Sequence, residues 1–150
     1  MIQRIQTLYL LIALILNLLT YFYHWVIYKA DNAEITYGIA GLSTQETSIS
    51  LLVVFISMNV SIILLSILQF KNRKRQMNSV RASMMLAILL CALFGIRHYQ
   101  NIQLFQMEES LEISYQFPVF VPIISLVFLW LALNGIKKDE DLVRSIDRLR

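Results

Sequence analysis

The sequence predicts an all-α membrane protein: one domain over residues 1–150, built as a bundle of four transmembrane helices. Three observations predict it. First, four apolar stretches (Ile5–Tyr28, Thr47–Phe70, Ala82–Ile96 and Ile113–Ile136) contain no formal charge. Second, hydrophobic residues are 57% and charged ones 15%, against roughly 45–50% and 25% in soluble domains. Third, basic residues alternate along the chain. Met1–Arg4, Lys71–Arg81 and Lys137–Arg150 hold 11 of the 13, while Lys29–Glu46 and Arg97–Glu112 hold only Lys29 and Arg97. Cytoplasmic segments carry excess Lys and Arg, so both termini and the Lys71–Arg81 loop are expected in the cytoplasm.

The first span is expected over about 5–28. Its 24 apolar residues reach about 36 Å as a helix, enough for a hydrocarbon core of about 30 Å. That run exceeds a signal-peptide core, and no small-residue cleavage site follows, so it is expected to stay attached. Tyr21, Phe22, Tyr23, Trp25 and Tyr28 gather at its outer end, where amphipathic rings favour the interface. The second span is expected over 47–70. The third, over 79–99, is short in apolar residues and must borrow length from flanks where Arg81 and Arg97 snorkel; it is free to continue through Tyr99, Ile102 and Phe105. The fourth is expected over 115–136, with Phe117 and Phe120 at its outer end. Pro118 and Pro122 stand near its start, where proline costs little.

Between spans, Ile35, Tyr37 and Ile39 alternate, as do Leu111, Ile113, Tyr115 and Phe117. That period predicts a small antiparallel sheet on the outer face, with an interfacial loop as the rival. The tail 137–150 reads KKDEDLVRSIDRLR. Leu142, Ile146 and Leu149 share one helical face, so an amphipathic cytoplasmic helix is expected, lying on lipid, on its own bundle or on a partner.

Chemistry inside the spans is sparse. Asn17 and Asn59 fall at one depth of an antiparallel pair, and an interhelical bond between them would contribute roughly 0.6–1.7 kcal/mol. Ser57 and Ser61 are expected to permit close helix approach, with Ser125 and Cys91 at a similar level. Packing outweighs a solute lining, because none of these groups ionises as pumps require. Lone Cys91 forms no intramolecular disulfide. His24 and His98 at the outer interface would need further ligands to hold a metal, and Glu108, Glu109 or Glu112 reach them only if the loop folds back; a hydrogen-bonding role outweighs a metal site. No catalytic residue and no cofactor are expected, and the Asn59-Val60-Ser61 sequon lies within a span. The net charge of +3 reads as topology rather than nucleic-acid binding. Cationic Arg4, Lys71, Arg73, Lys74 and Arg75, together with the tail, are expected to meet anionic lipid headgroups or a protein partner.

The opening MIQRIQTLYLL, the FKNRKRQM at 70–77 and the closing GIKKDEDLVRSIDRLR resemble the domain-of-unknown-function family 4293. The resemblance spans the full length. It implies a small four-span protein of a bacterial inner membrane with no assigned activity, and transfers no catalytic residue. Together these readings lead to a non-enzymatic accessory or scaffold subunit. The alternative is a small oligomeric channel or transporter lined by Asn17, Asn59 and Ser125.

Overall fold

The computed structural model describes residues 2–30, 33–38, 47–105 and 112–147. In chain order these form α1 (Ile2–Leu19), β1 (His24–Ala30), β2 (Ala33–Gly38), α2 (Thr47–Leu68), α3 (Arg73–Phe105), β3 (Glu112–Tyr115), a 3-10 turn (Phe117–Phe120) and α4 (Val121–Asp147). The helices make a ring, with α1 packed on α2 and α4, and α3 packed on α2 and α4. Ring neighbours run antiparallel. At one end lies a sheet in the order β2-β1-β3, antiparallel throughout. The other end holds the short α2–α3 link and most of the described cations.

One pattern governs all four helices. The buried positions are Gln6, Leu10, Ala13, Asn17 and Thr20 of the α1 segment; Leu52, Ile56, Asn59, Ile63 and Ser66 of α2; Gln76, Val80, Ser83, Ala87 and Leu90 of α3. In α4 they are Val121, Ser125, Leu129, Ala132, Ile136 and Asp139. Apart from a second step of four at the start of α4, spacings of four and three alternate, a repeat near 3.5 that suits shallow, left-handed helix packing. The buried stripes are rich in small and polar residues, whereas Leu8, Ile15, Val54, Met85, Ile88 and Trp130 point outward. A bundle in water has the opposite polarity.

Two apolar clusters fill the interior. Near the sheet, Trp25, Val26, Tyr28, Leu52, Ile56 and Leu90 pack together. Toward the basic end, Leu10, Ala13, Ile63, Val80, Leu129, Ala132 and Ile136 form the second.

Several expected boundaries are corrected. The first helix was expected to run to Tyr28, but it stops at Leu19 and the aromatic run becomes the central strand β1. Its terminal carbonyls are satisfied locally: Thr20 Oγ1 donates to Asn17 O, Tyr21 N to Leu18 O, Phe22 N to Leu19 O and Trp25 Nε1 to Thr20 O. Aromatic and β-branched residues suit the pleated surface that β2 and β3 provide on either side. The alternations at 35–39 and 111–117 do mark β2 and β3, at Ala33–Gly38 and Glu112–Tyr115. A bulge between His24 and Val26 turns both Trp25 and Val26 inward; an inserted residue breaks strict alternation.

The third helix is the longest, at 33 residues, about 50 Å. It passes through Tyr99 and Ile102 as expected, but it also absorbs Arg73–Arg81, so the expected basic loop is mostly helix. Asn72 caps it, its Oδ1 accepting from Arg75 N at 3.2 Å. The tail is no separate element either. Helix α4 runs through Gly135 and Lys138 to Asp147 without a break. Among the described residues, Arg73–Gln103 and Phe117–Val143 are long and apolar enough to cross a membrane, and Ile5–Leu19 and Leu52–Leu68 are shorter apolar helical stretches.

Candidate functional site

Midway through the bundle one side chain from each helix joins a single chain of hydrogen bonds. Ser83 Oγ of α3 donates to Asn59 Oδ1 of α2 at 2.5 Å. Asn59 Nδ2 donates to Asn17 Oδ1 of α1 at 3.3 Å. Asn17 Nδ2 then donates to Ser125 Oγ of α4 at 2.9 Å and to Ala13 O at 2.8 Å. All four residues are buried. Of the polar residues singled out in the sequence, the structure brings Asn17, Asn59 and Ser125 together here.

Ser57 and Ser61 do not belong to this chain. Both are exposed and bond to carbonyls of their own helix, Val53 O at 2.7 Å and Ser57 O at 2.8 Å. Two residues from Asn59, they sit about 200° around the helix, on its outward face. Ser57 additionally meets Tyr21 Oη at 2.7 Å. Ser83 was missed because a third span starting at 79 places it near an end. With α3 starting at Arg73, it lies about as far from that start as Asn59 lies from Leu68.

A cavity of about 20 Å³ lies between this chain and the sheet, walled by Asn17, Thr20, Trp25, Phe94 and Pro118 among others. It is the size of one water molecule. Above it, His98 ties helix to sheet: Nδ1 bonds to Tyr28 Oη of β1 at 2.8 Å and Nε2 to Tyr115 Oη of β3 at 2.9 Å. Its ring stacks on Phe94, centroids 6.1 Å apart, and Phe94 in turn meets Trp25. With both ring nitrogens engaged by phenols, His98 is a structural fastener. No group of three or more metal-ligating side chains occurs among the described residues. Tyr28 is buried, and that burial pushes its phenol above the ordinary 10.0, with Asn101 opposing and Tyr115 adding to the rise.

The basic end is built differently. Lys71, Lys74 and Arg75 are exposed. Arg73 is half-buried and its Nη1 donates to Asp139 O of α4 at 2.6 Å. Past that contact α4 continues for about two turns, with Leu142 54% and Val143 41% exposed. A groove of about 380 Å³ separates the α2–α3 link from α4, lined by Lys71, Lys74, Glu140 and Val143 among others. Arg4 lies in α1 and Ile146 in α4; Leu149 falls outside the described residues. Sequence reasoning missed Gln6 and Gln76, both buried here. Their place on the stripes of Asn17 and Ser83 was the available signal.

A ring of four helices with small and polar residues among the apolar ones inside, large apolar residues outside, a sheet at one end and cations at the other defines a small bundle protein. The chain belongs to the domain-of-unknown-function family DUF4293, whose model matches residues 2–149. No curated protein matches it.

Proposed function

We propose that this chain is a four-pass protein of a bacterial cytoplasmic membrane, acting without catalysis as an accessory or scaffold subunit that docks a partner at its cytoplasmic end. Lipid as the surrounding solvent is supported by the inverted polarity of the helices. Water around Leu8, Ile15, Met85, Ile88 and Trp130 would leave an apolar belt uncovered, while Asn, Gln and Ser occupy the interior, as in helix packing within bilayers. In this reading the shorter apolar stretches of α1 and α2 also cross, completed by flanking turns. The basic end faces the cytoplasm.

The docking role rests on one observation: α4 continues as a rigid helix past the bundle, carrying exposed Leu142 and Val143 beside Lys71, Lys74 and Arg75. A partner offering apolar and acidic groups would cover it. The channel alternative has less support, because Asn17, Asn59 and Ser125 spend polar atoms on one another and the adjoining cavity takes one water.

Two experiments test the proposal. In a Cys91→Ser background, Lys74→Cys should react with an impermeant maleimide only after permeabilisation, and Glu112→Cys in intact cells; the reverse pattern refutes the orientation. Affinity purification in mild detergent should recover a stoichiometric partner that is lost when Leu142–Arg150 are deleted. Recovery of this chain alone from both forms refutes the docking role.

A further inference from the structure

A second groove at the basic end, about 330 Å³, runs between α1 and α3. Its walls change character along its length. Leu8, Leu11 and Phe70 line it, 53%, 41% and 57% exposed. Gln6, Gln76 and Arg73 line it as well, and both glutamines are about 95% buried, being only 5% exposed. Gln6 Nε2 has no hydrogen-bond partner. Burying an amide donor in this state is unfavourable, and native proteins rarely do so without a ligand or water to accept from it.

Charge makes the same demand. The first turn of α3 holds Arg73, Lys74 and Arg75 and no acid, so three cations stand on the positive end of a long helix dipole. One guanidinium N–H of Arg73 is engaged by Asp139 O, out of five. Asp139 meets Arg73 through its carbonyl, and Glu140 stands with the same cations on the neighbouring groove. A bound anion would satisfy both the helix end and the amide, while the apolar walls call for hydrocarbon.

We propose that this groove is a binding site for one anionic phospholipid. The phosphate lies against Arg73, the Gln6 amide rotates out of its buried position to donate to it, and an acyl chain follows Phe70, Leu8 and Leu11. The inference rests on the membrane reading above and adds a specific ligand to it. Charge selects an anionic headgroup, and the apolar walls distinguish a lipid from free phosphate.

Native mass spectrometry of the full chain in detergent, titrated with phosphatidylglycerol or with phosphatidylcholine of the same acyl chains, tests it. One saturable phosphatidylglycerol adduct is expected, with phosphatidylcholine about fivefold weaker, the effect of one charge at an anionic surface. Arg73→Gln should remove that preference, and Arg75→Gln, exposed and off the groove, should keep it. Because Arg73 also holds α4, Gln6→Met supplies an independent arm. It should raise the unfolding temperature in lipid-free detergent, since the unpartnered donor is gone, yet weaken the phosphatidylglycerol adduct. Equal adducts with both lipids, unchanged binding by Gln6→Met, or displacement by millimolar inorganic phosphate would each overturn the site. A chain monodisperse without detergent would overturn the membrane reading itself, whereas a detergent-dependent chain with many equivalent lipid adducts removes only this inference.

Discussion

The two ends of the bundle are built from different residues and reach opposite outcomes. At the sheet end, tyrosines, a histidine and a tryptophan find partners within the chain: His98 engages Tyr28 and Tyr115, and Trp25 caps α1. Among the described residues there, His24 Nδ1 alone is buried without a partner. At the basic end, Gln6 Nε2 lacks a partner and α4 extends with apolar residues uncovered. A closed polar set rigidifies a fold. An incomplete one keeps binding capacity. The difference leaves the sheet end closed on itself and the basic end open, as the proposed docking role requires.

The largest effect is expected midway, where the hydrogen-bond chain holds both ends in register. Asn17→Leu removes the bonds to Ser125 and Asn59 together and should lower stability by about 2 kcal/mol, at the upper end for interhelical bonds in membranes. Ser57→Ala, on the outward face, should change it by less than about 0.5 kcal/mol. Reversible denaturation in mixed micelles would measure both, and equal losses would show that the chain of bonds contributes nothing special.

Next in size is the fastener of the sheet. His98→Phe keeps a ring against Phe94 but removes the bonds to both phenols, costing about 1–2 kcal/mol. Emission of Trp25 should shift to the red as the sheet loosens. Labelling of Lys74→Cys should stay unchanged, because the basic end does not depend on that contact. Parallel loosening of both ends would break the contrast drawn above.

How much of this was legible follows from what hydropathy reports. It senses environment and not conformation. The aromatic run around Trp25 is apolar enough for a membrane and equally suited to a strand, so β1 was merged into the first span. Only its pairing with β2 and β3 on both edges decides the matter. Conversely, the charges from Arg73 to Arg81 end an apolar run without ending a helix, since Arg, Lys, Gln and Met are good helix formers. Depth was readable for Asn17 and Asn59. Facing was misjudged for Ser57 and Ser61, because a spacing of four aligns residues with each other and not with the Asn59 between them.

Two glycines sharpen the comparison further. A Cβ on Gly135 would lie 2.7 Å from Gln6 Cγ, so α1 and α4 are in close contact at the basic end. Gly135→Ala should destabilise by about 1–2 kcal/mol through overpacking, and in doing so displace Gln6. Gly95, toward the sheet end of α3, has nothing within 4 Å of such a Cβ. Gly95→Ala should therefore stabilise by about 0.5–1 kcal/mol through helix propensity alone. Thermal unfolding of the two variants in one detergent measures the pair, and the same sign for both would refute the close α1–α4 approach.

The smallest expected effect is a pH dependence confined to the sheet end. Burial holds the Tyr28 phenol above 10.0, so the folded chain favours its neutral form. That contribution is complete below pH 10 and is lost as pH rises through the raised value, because the unfolded chain ionises first. The unfolding temperature of the wild-type chain should therefore fall above pH 10 more steeply than that of Tyr28→Phe. The phenolate difference spectrum between the two should grow only in that alkaline range. A difference spectrum already half developed at pH 10 would mean that Tyr28 stands open to water, and the sheet end would then be no more closed than the basic end.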